Sequence, residues 1–156
     1  MSNMCPSQAV AEVVMAEITK ITVIAAKVMR VLTLFDRKVT LLPAAQALSD
    51  EIGAWYSNLP VEARASELSR TPWDGPRACL GYTHLGHLEA IILISRKTIS
   101  IYKPKAGGHR LAVQSTERSQ LALILNDGVV AAQQASQILR FFLSEQAGVR
   151  HCWAVM

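Results

Sequence analysis

Charge is scarce in this chain. Asp, Glu, Lys and Arg together make up 18% of its 156 residues, against about 25% in an average protein. Aromatic residues are scarcer still at 6%, while hydrophobic residues reach 51% and the mean hydropathy is +0.23. A chain so short of charge either packs its helices very efficiently or keeps apolar faces for something outside itself. The basic residues exceed the acidic ones, 16 to 12, but never occur in a run longer than two. Neutralising phosphates needs several cations on one face, so this spread argues against DNA binding by this chain alone and reads as ordinary solvated surface.

Cysteine is also sparse. Cys5, Cys79 and Cys152 are odd in number and far apart, with no CxxC. Neither a structural zinc site nor a disulfide framework is suggested, and the pattern fits a reducing compartment. Residues 1–6 lack a basic region followed by a hydrophobic core, so no signal peptide is expected. Period-two alternation, internal repeats and low-complexity tracts are missing. So are GxSxG, a P-loop, GxGxxG after a strand, and HExxH. No catalytic constellation can be assembled, and a non-enzymatic role is expected.

What remains is helical periodicity. The segment over 81–102 reads GYTHLGHLEAIILISRKTISIY. Leu85, Leu88, Ile92 and Ile99 share a stripe, Ile91 and Tyr102 widen it, and Leu93 and Ile94 point to other sides. A helix apolar on several sides expects neighbours on several sides, so a central helix is predicted over 78–103. Its apolar run is brief and flanked by Glu89 and by Arg96 and Lys97, too short for a membrane span.

Upstream, Ser7 after Pro6 is a plausible N-cap for a helix over 7–35. Val14, Ile18, Ile21, Ala25, Val28, Leu32 and Phe35 alternate steps of four and three through three heptads. A coiled-coil seam is one reading. Val13, Ile24, Val31 and Leu34 thicken the stripe, which favours a helix packed in a bundle. Residues 36–42 read as a connector, with Pro43 in the first turn of a helix over 43–59. Ala45, Leu48, Ile52, Trp55 and Leu59 form its buried stripe, and Pro60 ends it. Residues 60–77 read as loop and short turns, with Trp73 pinning the loop to the core. Residues 105–110 read as a flexible turn.

A further helical pattern covers 116–147, with Leu121, Leu125, Ala131, Ala135, Ile138 and Phe142 inward. Asn126, Asp127 and Gly128 interrupt it, as a turn between two helices or as an accommodated glycine within one. Gly148 reads as a stop, and residues 151–156 begin another apolar segment. The fold class is therefore all-α: an irregular bundle of about five to six helices in one domain over 1–156, or part of a larger helical domain.

His84 and His87 lie three apart, so both could face one metal ion, with Cys79 just upstream. The remaining ligands that zinc requires are missing. Helix-surface or core-edge histidines are the expectation, with no metal and no cofactor.

One block is more specific. Residues 48–60 (LSDEIGAWYSNLP) are followed by residues 81–97 (GYTHLGHLEAIILISRK). This resembles the middle homology, or regulatory, domain of fungal-specific zinc-cluster transcription factors. In that family a helix ending in tryptophan and Leu-Pro precedes a helix with leucine-histidine-leucine and tyrosine-histidine elements that runs into isoleucines and leucines and then arginine-proline. Here the first element is loosened into His84, Leu85, His87 and Leu88, and Arg96–Lys97 stands where arginine-proline is expected. The likeness extends to the upstream heptad helix, to the paired alanines within 130–143, and to Trp153, spanning roughly 10–156. The family's six-cysteine zinc cluster cannot be built from three scattered cysteines, so its zinc would belong to a domain absent here. The resemblance implies a nuclear, non-catalytic role in transcriptional regulation, through protein–protein contact or response to an effector. The core to test is Leu48, Ile52, Trp55 and Leu59 against Leu85, Leu88 and Ile92. The alternative is a small helical adaptor or oligomerisation module using Val14, Ile18, Ile21, Val28, Leu32 and Phe35. A small enzyme using His84, His87 and Cys79 is a third reading. Protein partners or self-association are expected, and no membrane.

Overall fold

The computed structural model describes residues 6–34, 38–69, 75–102 and 115–144. They form four α-helices: α1 (Pro6–Leu34), α2 (Lys38–Ser57), α3 (Gly75–Tyr102) and α4 (Ser115–Ser144). Two 3-10 turns, Val61–Ala63 and Ala65–Ser69, link α2 to α3. The described residues contain no strand. The all-α class thus holds, with fewer α-helices than the expected five to six. Phe35, Trp73, Trp153, Cys5, Cys152, Gly148, the turn expected at 105–110 and the segment 151–156 lie outside the described residues.

α3 is the hub, packing against α4 most extensively, then against α1 and α2. α1 and α2 run antiparallel, because Glu17 meets Trp55 while Lys27, further along α1, meets Glu51, earlier on α2. α3 and α4 are antiparallel too. Tyr82 lies beside Phe142 with ring centroids 5.1 Å apart, and Ser95 lies against Gly128.

The first stripe of the sequence is largely consumed inside the chain. Val14, Ile21, Val28 and Leu32 are buried, joined by Ile24, and Ile18 packs half-buried against them. From α2 and the residue pair after it, Leu48, Ile52, Trp55 and Leu59 enter the same core.

Several boundaries move. Residues 38–42, expected as connector, are helical, so Pro43 sits inside α2 rather than in its first turn. Its ring removes one backbone bond, at a cost of about 3 kcal/mol. Leu41 and Leu42 on the preceding turn are buried, worth about 1.5–3 kcal/mol each, which is enough to carry the helix through. α2 ends at Ser57, where the Asn58 side chain donates to the Ala54 carbonyl at 2.7 Å. Gly75 to Arg77, expected in the loop, form the start of α3, where Pro76 has no partner to lose.

The Asn126–Gly128 interruption does not break α4. Gly128 is buried against α3, and a Cβ there would stand 2.2 Å from Ser95 Oγ and 2.4 Å from its Cβ. The glycine is a packing requirement, and one helix therefore replaces two.

The expected apolar stripe of α3 is corrected as well. Leu88 is buried, but Leu85 and Ile92 are half-buried and Ile99 is 48% exposed. In their place Thr83, His84, His87, Ser95 and Thr98 face inward. The two threonine hydroxyls can be buried because they are satisfied locally: Thr83 donates to the Cys79 carbonyl and Thr98 to the Ile94 carbonyl, both at 2.8 Å. A paired polar group loses little on burial. The helix is thus rotated away from its most hydrophobic stripe.

Candidate functional site

His84 and His87 of α3 converge with α2, the second 3-10 turn and α4 on a cavity of about 410 Å³. Its polar lining is Tyr56 from α2, His84 and His87 from α3, and Gln134 and Gln137 from α4. Leu68, Leu88, Ile138 and Phe141 supply apolar walls. The periodicity of each helix explains the convergence. His84, His87 and Leu88 are neighbours at steps of three and four on α3, and Gln134, Gln137, Ile138 and Phe141 repeat that spacing on α4.

The two histidines are not on the helix surface or at the core edge as expected. Their exposures are 2% and 7%. His84 Nε2 lies 3.0 Å from the carbonyl oxygen of Ala63 in the first 3-10 turn. A carbonyl only accepts, so Nε2 carries the proton and donates. Burial lowers the pKa of His84, and the bond to Ala63 offsets part of that effect. His87 is lowered further, from 6.5 to about 4, first by burial and then by the neighbouring His84. At neutral pH both rings are uncharged, since a buried imidazolium without a counter-charge is disfavoured.

His87 sits in an aromatic frame. Tyr56 stacks on it at 4.9 Å and 13°, and Trp55 lies tilted behind it at 5.4 Å and 43°. Tyr56 also meets His84 edge-on at 6.0 Å. Yet His87 Nδ1 is buried with no hydrogen-bond partner. A buried polar atom left unpaired is unfavourable and calls for a physical explanation.

Trp55 is held from the other side. Its indole N–H donates to Glu17 Oε2 at 3.0 Å, and Lys20 Nζ pairs with Glu17 Oε1 at 2.6 Å. The sequence reading missed Glu17, which occupies a core-facing heptad step of α1 and is 4% exposed. The visible signal was its position three after Val14 and four before Ile21 on the apolar stripe.

Of the residues singled out from sequence, Trp55, Leu88, His84 and His87 meet at or beside the cavity. Leu48 and Ile52 lie in the core cluster with Leu59. Val14, Ile21, Val28 and Leu32 belong to that same cluster, so they do not form a free seam on α1. Cys79 is half-buried upstream on α3. No group of three or more His, Cys, Asp or Glu side chains among the described residues could hold a metal ion. No described helix is long and apolar enough to cross a membrane.

No protein-family model, no curated protein and no solved structure matches the chain. Its own residues are therefore the ground for a functional reading.

Proposed function

We propose that the chain is a non-catalytic helical regulatory module that responds to a small effector taken into the α2–α3–α4 cavity. The observation that carries this reading is the buried, uncharged His84–His87 pair lining a half-open cleft of about 410 Å³, with His87 Nδ1 unpaired. Ligand sites are typically mostly apolar clefts or cavities with a few convergent polar groups, and this cleft has that make-up. Its described lining contains no carboxylate, amine or thiol to act as nucleophile or acid–base partner, and histidines whose pKa values burial has lowered are poor proton donors at neutral pH.

The place of action is suggested by the sequence alone. The resemblance of residues 48–60 and 81–97 to fungal zinc-cluster regulatory domains points to transcriptional control in the nucleus. The DNA contacts would come from another domain or partner, since the cations here are dispersed. The adaptor reading through α1 is weakened because Val14, Ile21, Val28 and Leu32 are already used in the chain's own core.

Fusion of the whole chain to an unrelated DNA-binding domain tests this reading in a eukaryotic reporter cell. The fusion is expected to change reporter output severalfold relative to the DNA-binding domain alone. A folded, nuclear fusion that leaves output at the control level overturns the regulatory reading.

A further inference from the structure

Resting on the effector reading above, we infer the chemical class of the ligand: a neutral, planar aromatic molecule carrying one hydroxyl or N–H group that bonds His87. Three features select it. First, the described lining of the cavity has no charged side chain. An ionised ligand entering it would lose hydration with no counter-charge in return. Second, the rings of Tyr56, His87 and Phe141 contribute walls, with Tyr56 and His87 already stacked at 4.9 Å. Flat π-faces favour a flat aromatic guest by offset or edge-on contact. The volume, about 410 Å³, is near the lower end of small-molecule sites and suits a guest of one or two rings.

Third, the polar demand of the site is specific. His84 commits Nε2–H to Ala63, whereas His87 Nδ1 has no partner. The His87 ring lines the cavity, and the terminal torsion of histidine is soft. A turn of the ring about that torsion, against its stack on Tyr56, is what would carry the buried, unpaired nitrogen to a polar group seated there. A neutral imidazole has one donor and one acceptor nitrogen, so a hydroxyl, which both donates and accepts, meets either tautomer. Gln134 and Gln137, both exposed at the rim, can bond a second polar edge without adding charge.

The test uses the full chain and three probes of one shape: naphthol, naphthalene and naphthoate, titrated at pH 7. Affinity is read from the tryptophan fluorescence, to which Trp55 contributes from 5.4 Å beside His87, and from the imidazole nitrogen shifts of His87. Naphthol is expected to bind roughly tenfold more tightly than naphthalene, the size of one good buried hydrogen bond. It should also move the His87 nitrogen signals, and naphthoate should bind most weakly. His87→Phe keeps a ring of similar outline, and in it naphthol and naphthalene should bind alike. Equal binding of naphthol and naphthalene to the unaltered chain, tightest binding of naphthoate, or no binding of any probe overturns the ligand class. So does naphthol binding that leaves the His87 signals unmoved, a readout independent of whether the variant folds. The failures are separable: an inert reporter with naphthol bound defeats the regulatory role alone, and an active reporter with no probe bound defeats the ligand class alone.

Discussion

Glu17 on α1 accepts the indole N–H of Trp55 on α2 at 3.0 Å, with the two residues 4% and 8% exposed. The pair ties the middle of α1 to the last turn of α2, and Lys20 balances the carboxylate at the surface. Glu17→Ala leaves the buried N–H unpaired and should cost about 1–3 kcal/mol in urea denaturation. Glu17→Gln keeps an accepting oxygen and should cost less. In a double-mutant cycle with Trp55→Phe the two losses should not add. Additive losses would mean that the two side chains are energetically independent.

Gly128→Ala pits helix propensity against packing. Alanine is favoured over glycine within a helix by about 1 kcal/mol. Its Cβ would stand 2.2 Å from Ser95 Oγ, and overpacking of this kind costs about 1–3 kcal/mol. The variant should therefore melt at lower temperature. Because Ser95 Cβ is itself only 2.4 Å away, Ser95→Gly should relieve the Gly128→Ala clash while Ser95→Ala should not. A stabilised Gly128→Ala chain would show that α3 and α4 do not approach so closely.

The histidines set a pH dependence. The folded-state pKa of His87 is about 4 against an ordinary 6.5, and His84 moves in the same direction. Between these values the unfolded chain binds more protons, so stability rises with pH. The contribution is complete above about pH 6.5 and is lost as pH falls toward 4, on the order of 3 kcal/mol for His87. Carboxylates also titrate near the acid end, so pH 6.5 to 5 is the informative window. Denaturation midpoints of the unaltered chain should fall across it, and those of His87→Phe should fall less. Parallel curves would mean that His87 is not buried and neutral.

Leu88 and its neighbours test the orientation of α3. Leu88 is 3% exposed, and Leu88→Ala should cost about 2–5 kcal/mol. Leu85 and Ile92, half-buried on the same apparent stripe, should lose less on truncation. Equal losses at all three would restore the stripe read from periodicity.

Val28 separates an internal core from an oligomer seam. It is 0% exposed within the single chain, so Val28→Asp buries an unpaired charge and should abolish the cooperative melt. A folded monomer from this variant, replacing an assembly, would support the adaptor reading instead.

Much of this protein follows from local pattern. The heptad stripe of α1, the Leu48–Leu59 stripe and the inward positions Ala131 and Phe142 of α4 were legible because side-chain periodicity shows directly which face of a helix is apolar, whereas Leu121, Leu125, Ala135 and Ile138 are half-buried and the buried Ile124 was not among the expected positions. So were the all-helical class and the central place of α3. Other features depended on contacts distant in sequence. Glu17 reads as a misplaced charge until Trp55, 38 residues away, supplies the donor. The glycine in Asn126–Gly128 reads equally as a turn until Ser95 is found against it. The α3 histidines read as surface or core-edge residues until Ala63 and the Tyr56 ring enclose them.

The sequence by itself determined which segments are helices and which of their faces are most apolar, because both depend on neighbours within a turn or two. Only the tertiary structure decided how α3 is rotated, that α4 runs unbroken, and that His84 and His87 share a cavity. Those outcomes rest on polar groups finding partners, and on backbones approaching closely, across helices far apart in the chain, which no local spacing encodes.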